Sequence, residues 1–102
     1  MFRTATNPLL TNLPLQRRDV FFDLKLNGKI DLNVLMDVIY REFHIHYKVL
    51  SAEIEYIGQR NFGRLQLLLT LDNTQQIYLE QYFAEHEILN YAADFQPRKK
   101  AV

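Results

Sequence analysis

Two histidines close together are the first candidates for chemistry in this sequence. His44 and His46 are one residue apart, so on an extended strand both imidazoles would lie on the same side. Zinc is held by about four ligands, and His86 or Glu87 would have to supply the others. Nothing in the sequence brings those residues near the pair. We therefore predict no metal site and no other cofactor.

Two glutamates are the candidates for acid–base catalysis. Glu53 and Glu55 also share one side of an extended strand. A carboxyl group does such work when burial or a close charge shifts its pKa, whereas these two fit solvated strand positions better. Gly28 and Lys29 lack the preceding glycine-rich loop of a phosphate-binding site. The sequence predicts no catalytic residue and no enzyme activity.

A lysine and a methionine are the candidates for binding a ligand. Lys48 could hold a carboxylate by charge, although lysine is more often a solvated surface residue. Met36 could contact a thioether ligand through its sulfur, although methionine more often fills gaps in the core. The elements around these residues decide between the alternatives.

Composition restricts the class of protein. The chain has 102 residues, which is enough for one domain with a modest core. Twelve basic and twelve acidic side chains balance, so a general affinity for nucleic acid or acidic lipid is not indicated. There is no cysteine, which excludes disulfides and thiolate metal sites. No apolar run approaches the roughly 20 residues of a membrane-spanning helix, so we predict no direct insertion into a membrane.

Three segments differ in their patterns. Residues 1–18 contain two of the three prolines and no regular period, which predicts a linker or N-terminal arm. Residues 19–96 carry the periodic patterns of a folded domain. Residues 97–102 contain three consecutive basic residues and predict a polar tail.

Six elements are predicted within the domain. They are a strand around Val20 to Leu26, a helix from its cap Asp31 to Phe43, a strand with Leu50, Ala52, Ile54 and Tyr56 on one face, a strand from Arg64 to Leu71, a helix ending near His86, and a strand from Ile88 to Ala93. The two middle strands form a hairpin whose turn runs from Gly58 to Gly63.

This order of elements predicts an α+β, ferredoxin-like fold. In the βαββαβ arrangement, a four-stranded antiparallel sheet carries both helices on one face. Right-handed crossovers place the first and third strands in the middle of the sheet. The leucine-rich third strand fits that position because a central strand is buried.

Several short patterns, in the same order along the chain, resemble the NIL domain. This ferredoxin-like module lies at the C-terminal end of the ATP-binding subunits of bacterial methionine importers. The resemblance rests on Gly28, Arg41-Glu42-Phe43, the strand Val49 to Ile57, Phe62-Gly63 and Tyr82-Phe83, and it extends from Val20 to Phe95. Where the family's name triplet has asparagine, isoleucine and leucine, this chain has Lys48-Val49-Leu50.

The resemblance implies a regulatory function. NIL domains are similar to amino-acid-sensing ACT domains, pair into homodimers and hold methionine at the subunit interface, where it restrains transport. The implied partners are an amino-acid ligand and the ATPase domain and permease of an ABC importer, at the cytoplasmic face of the cell membrane. The implied ligand-binding residues are Tyr47, Lys48, Val49 and Leu50, and Met36 is added to them for its thioether side chain.

Apolar residues on the outer sheet face indicate a surface for a second copy of the chain. Phe21, Leu68 and Tyr91 fall on the side away from the predicted helices, and we predict that they form the dimer interface. Edge strands could also pair across a two-fold axis. Two other functions stay open: a structural pairing domain without a ligand, and an RNA-binding module of the same fold. Leucines in place of stacking aromatics in the third strand count against RNA.

Overall fold

The computed structural model describes residues 16–95. Its strands are β1 (Arg18–Asn27), β2 (His46–Ile57), β3 (Arg60–Leu71) and β4 (Leu89–Asp94). Helix α1 (Leu32–Asp37) continues as a π-helical turn (Val38–Glu42), and helix α2 spans Asn73–Glu85. Residues 1–15 of the predicted arm and the whole predicted tail lie outside the described residues. β1 begins at Arg18, the last residue assigned to the arm.

The four strands form one antiparallel sheet in the order β2-β3-β1-β4. β1 and β3 are therefore central, as the crossover rule predicts. Phe22 of β1 lies opposite Leu67 of β3, and both are fully buried. The predicted ferredoxin-like fold is confirmed.

The core lies between one face of the sheet and the two helices. Phe22 belongs to the same buried cluster as Leu35 of α1 and Leu79 and Phe83 of α2. The rings of Phe22 and Phe83 meet edge to face with centroids 6.0 Å apart. Both helices therefore cover the same side of the sheet. We call this side the helix face and the opposite side the open face.

Acidic residues begin both helices. The Oδ1 atom of Asp31 accepts a hydrogen bond from the backbone N–H of Asn33 at 2.7 Å, which confirms the predicted cap. Asp72 and Gln75 form a reciprocal capping box at the start of α2, with bonds of 2.7 and 2.9 Å. These side chains accept hydrogen bonds from backbone N–H groups in the first turns, which have no partner within the helix.

The first helix is less regular than its periodicity predicts. The backbone N–H of Phe43 bonds to the carbonyl oxygen of Val38 at 3.0 Å, a five-residue spacing that defines a π turn. Phe43 is half-buried at the end of this turn, and its ring contacts Tyr82 of α2 with centroids 5.8 Å apart. The apolar spacing alone did not distinguish a regular helix from one with an extra residue in its last turn.

The hairpin turn is shorter than predicted. It consists of Gly58 and Gln59, which have φ angles of 58° and 66°. Positive φ at both central residues gives the twist that two-residue hairpins need. Arg60 to Gly63, which the sequence assigned to the turn, instead begin β3. Asparagine and glycine in that segment are typical of turns, but here the strand pairing determines their conformation.

A β-bulge interrupts β2 at Leu50. Val49 pairs with Leu67 and Ser51 pairs with Gln66, so Leu50 is an extra residue on the β2 side. Ala52, Ile54 and Tyr56 share the helix face as predicted. The sequence predicts Leu50 on the same face, but as the bulged residue Leu50 has no partner in β3, and the alternation changes phase at this point.

Two glycines are required by close packing. A Cβ atom on Gly63 would lie 2.0 Å from the carbonyl oxygen of Glu53, and the φ angle of Gly63 is 135°. A Cβ atom on Gly28 would lie 2.5 Å from the Phe62 ring. Both positions are part of the NIL-like pattern. At Gly63 the neighbouring atoms are backbone and cannot move aside, so glycine is necessary there, whereas at Gly28 the end of the Phe62 side chain would have to shift.

We predict that Gly63→Ala destabilises the domain by about 3 kcal/mol or more, because the new methyl group meets backbone atoms of β2. The matched control is Gly58→Ala, since Gly58 also has positive φ but open space around its Cβ position. That control should cost only about 1 kcal/mol. Urea unfolding followed by circular dichroism measures both losses, and equal values would contradict the packing argument.

Candidate ligand and pairing surfaces

The open face is the polar side of the sheet. Strand register and alternation place four groups of residues on it: Asp19, Phe21, Asp23 and Lys25 of β1; Phe62, Arg64, Gln66, Leu68 and Thr70 of β3; Leu89, Tyr91 and Ala93 of β4; and His46, Lys48, Ser51, Glu53 and Glu55 of β2. Charged residues of both signs separate the apolar ones. The open face can therefore offer charge contacts as well as apolar surface.

An ion pair lies at the centre of the open face. Arg64 binds Asp23 through two nitrogens, with Nη2 2.7 Å from Oδ2 and Nε 3.0 Å from Oδ1. The hydrogen bond from Arg64 is the main cause that lowers the pKa of Asp23 below its ordinary value, and a bond from Gln66 adds to it. Asp23 also raises the pKa of Arg64. Both groups stay charged at neutral pH.

A wide, open groove of about 900 Å³ surrounds this pair. Its walls combine acidic residues of β2 with Phe62 of β3 and Leu89 and Tyr91 of β4. Leu89 and Tyr91 are 70% and 64% exposed. The groove thus has an ionic floor and an apolar rim, but no polar side chain in it is deeply buried.

A smaller groove of about 350 Å³ lies at the other end of the open face. It is lined by Asp19, His46, Tyr47, Lys48, Leu68 and Thr70. The Thr70 hydroxyl donates a 2.8 Å hydrogen bond to Oδ1 of Asp19, which fixes the position of that carboxylate. A cationic and an anionic side chain therefore line one groove together with the apolar Leu68. This combination suits a small zwitterion.

The predicted ligand-binding residues are only partly brought together. Tyr47 and Lys48 both line the smaller groove. Val49 is opposite the buried Leu67 and so lies on the helix face, while Leu50 is the bulged residue. Met36 is half-buried against the core. The assignment of these five residues to a ligand stays a prediction.

The predicted dimer-interface residues all lie on the open face. Phe21 is opposite Leu68 across the central strand pair, and both are half-buried. Tyr91 is opposite Asp23 on the other side of β1. Their shared face agrees with the outward placement that the alternation predicts. Whether a second copy covers them stays a prediction.

The two histidines do not share a strand face. His44 precedes β2 and has a φ angle of 59°, whereas His46 is the first residue of β2. The rings of His46 and Tyr40 instead meet edge to face, with centroids 5.9 Å apart. Within residues 16–95, no group of three or more histidine, cysteine or acidic side chains is placed to hold a metal ion.

Asp19, Asp23 and Arg64 are candidate functional residues that the sequence did not single out. Their alternation with buried residues of β1 and β3 already places them on an outward face. The pairing of Asp23 with Arg64, however, depends on the β1–β3 register. That register joins residues 41 positions apart, which no local pattern specifies.

Comparisons with known proteins place the fold. No family model matches the chain, and no curated protein matches it. Among solved structures, the chain is similar to the C-terminal domain of an ABC transporter ATP-binding protein from Enterococcus faecalis, with a TM-score of 0.65. The alignment covers 86% of this chain and 94% of that one at 12% sequence identity. A likeness at this identity establishes the fold.

In the part of the chain from residue 16 to residue 95, no helix is long and apolar enough to cross a bilayer.

We predict that the Asp23–Arg64 pair makes stability sensitive to acid. Because the native pKa of Asp23 is lowered, its contribution is complete above the unfolded-state pKa of about 3.9 and is lost as the pH falls below that value. Thermal unfolding between neutral pH and about pH 2.5 should show a steeper acid loss for the natural chain than for Asp23→Asn. Arg64→Gln should flatten the profile in the same way. Parallel profiles for all three proteins would contradict the coupling.

Proposed function

We propose that this chain is a non-enzymatic regulatory domain of an ABC-type importer. In this function, two copies of the domain pair, an amino acid binds at their interface, and the bound state restrains transport. Methionine is the first candidate ligand. The partners are the ATPase domain and permease of the importer, at the cytoplasmic face of the cell membrane.

The proposal is supported mainly by two observations that agree: the similarity of the fold to a solved ABC-transporter domain, and the NIL-like sequence pattern. The fold is similar to a domain from an ABC transporter ATP-binding protein. Three residues of the NIL-like pattern, Gly28, Phe62 and Gly63, make close packing contacts in this fold. Phe62 packs over Gly28, and Gly63 gives the backbone of β2 room to approach. These residues lie far apart in sequence but form one contact region, so they support the resemblance as a set.

The polar residues of the interior support a function other than catalysis. Among residues 16–95, the buried polar or charged residues are Asn61 and Asp72. Asn61 accepts a 2.6 Å hydrogen bond from the backbone N–H of Leu32 through its Oδ1 atom, and Asp72 belongs to the capping box of α2. Both therefore serve helix starts. The other charged residues of this part of the chain are at least partly exposed, and general acid–base catalysis is weak where a group is solvated.

The smaller groove offers a chemical basis for amino-acid binding. Lys48 can hold a ligand carboxylate, and Asp19, which Thr70 positions, can accept hydrogen bonds from the ligand ammonium. Leu68 supplies an apolar contact for the ligand side chain. The cation at position 48, where the family triplet has asparagine, makes the carboxylate contact ionic in this chain.

Regulation follows from differential binding. A ligand at the interface of two copies stabilises the paired arrangement that it fits, and it shifts the population by no more than its difference in affinity between the arrangements. Attached ATPase domains would then be held in the relative position that this pair allows. Restraint of transport thus needs no chemistry within the domain itself.

We predict that L-methionine binds the folded chain and that Lys48→Ala weakens binding about 10-fold or more, because a charge-assisted hydrogen bond is lost. Lys25→Ala is the matched control, since Lys25 lies on the same face but outside the smaller groove. Isothermal titration calorimetry measures both affinities. No heat with millimolar methionine, in a sample whose sedimentation shows pairs, would leave a pairing domain without this ligand.

That pairing domain is the second candidate function. It is favoured by the long exposed edge of β2, which offers a contact surface regardless of any ligand. In this case the copies still associate, and variants of the smaller groove leave the assembly unchanged unless they also alter the contact between copies.

A further inference from the structure

β2 has the features of a strand that lacks a neighbour. It has 12 residues and pairs on one side only, while the other edge strand, β4, has six. Tyr47, Val49 and Leu50 are 38%, 51% and 50% exposed. The outer backbone groups of such a strand can bond to another strand. Exposed apolar side chains along the same edge would be buried by that contact.

β2 carries one basic residue before its bulge and two acidic residues after it. Lys48 lies before the bulge at Leu50, and Glu53 and Glu55 lie after it. None of these three forms an ion pair within residues 16–95. A second strand with the same sequence, running antiparallel, would place the acidic block of one copy beside the basic residue of the other.

The bulge determines the register in which two antiparallel copies of β2 place opposed residues on the same face of the sheet. In a two-fold antiparallel pair, opposed residues must lie on the same face of the sheet. A regular strand meets this condition only when the numbers of opposed residues add to an even value. The extra residue at Leu50 reverses the alternation, so Lys48 and Glu53 both lie on the open face although their sum is odd. Val49 and Ala52 likewise both lie on the helix face.

We propose that the β2 edge is the interface for a second copy of this chain, with the two-fold axis between Leu50 and Ser51. In this register Lys48 is opposite Glu53 of the second copy, and Val49 is opposite Ala52 of the second copy. Tyr47 is then opposite Ile54 of the second copy, on the helix face. The two four-stranded sheets become one continuous sheet.

This arrangement rests on the pairing of copies in the proposed function and specifies its geometry. It leaves the charged open face in water, whereas contact through that face would require desolvation of Asp23, Lys25 and Arg64. It also places the smaller groove beside the interface, since Lys48 belongs to both. A lysine ammonium has three donors and can contact Glu53 of the second copy and a ligand carboxylate together.

Charge-reversal variants, measured without added ligand, test whether the β2 edge is the interface. Lys48→Glu places Glu opposite Glu53 twice in the pair, and Glu53→Lys places Lys opposite Lys48 twice. Each change should raise the dissociation constant about 10-fold, as measured by sedimentation equilibrium at low salt. The double variant K48E/E53K restores opposite charges and should return within about threefold of the natural value. Lys25→Glu is the control on the open face and should leave the dissociation constant unchanged.

Cysteine cross-linking tests the register. The chain has no cysteine, so introduced thiols report only their own contacts. In an equal mixture of Val49→Cys and Ala52→Cys chains, oxidation should join one chain of each kind. Links between identical chains would have to span a shift of three residues, about 10 Å, which is beyond disulfide reach. Val34→Cys on α1 is half exposed and should cross-link only slowly.

Four results would overturn the inference. They are a monomer at every concentration, dissociation constants that do not respond to K48E and E53K, links mainly between identical chains, and a dimer that Leu68→Glu breaks while K48E does not. The last result would identify the open face with Phe21, Leu68 and Tyr91 as the contact. A monomer at every concentration would also remove the pairing on which the proposed function depends. In the other three cases, heat released on methionine binding would still support the proposed function.

Discussion

Burial of one face of the central β1–β3 pair is the interaction on which the structure depends. Leucines of β3 meet Val20, Phe22 and Leu24 of β1, and both helices cover them. Apolar burial is the dominant favourable contribution to folding, and this layer holds most of the buried side chains. Two helices on one side leave the other side of the sheet open. The same packing that stabilises the domain therefore creates its available surface.

The position of β2 follows from this constraint. The helices cover the central strands, so the edge strand keeps exposed residues on both faces. Only Ile54 within β2 is half-buried. Exposed tyrosine, valine and leucine side chains on an edge favour contact with another chain, while charges of both signs restrict which chain and which register fit. In the proposed pair, association and specificity therefore depend on different residues of one strand.

The charge pattern gives a neutral chain local sites of opposite charge. Net charge balances over the whole chain, so long-range attraction to any one class of partner is weak. Locally, Asp19 and Lys48 line one groove, and Asp23 and Arg64 form a bidentate pair nearby. Recognition at short range depends on such local arrangements. In the proposed function, a zwitterion or a second copy of the chain contacts these local charges.

The sequence by itself determined the order of the elements, the central strands and the buried face, because alternation and helical spacing report which side of each element avoids water. It also indicated Asp31 as a cap and Phe21, Leu68 and Tyr91 as outward. Only the tertiary structure decided the two-residue turn, the π turn and the bulge at Leu50, since each depends on hydrogen bonds rather than polarity. The Asp23–Arg64 contact and the grooves required the register between strands, which arises when distant segments pack together.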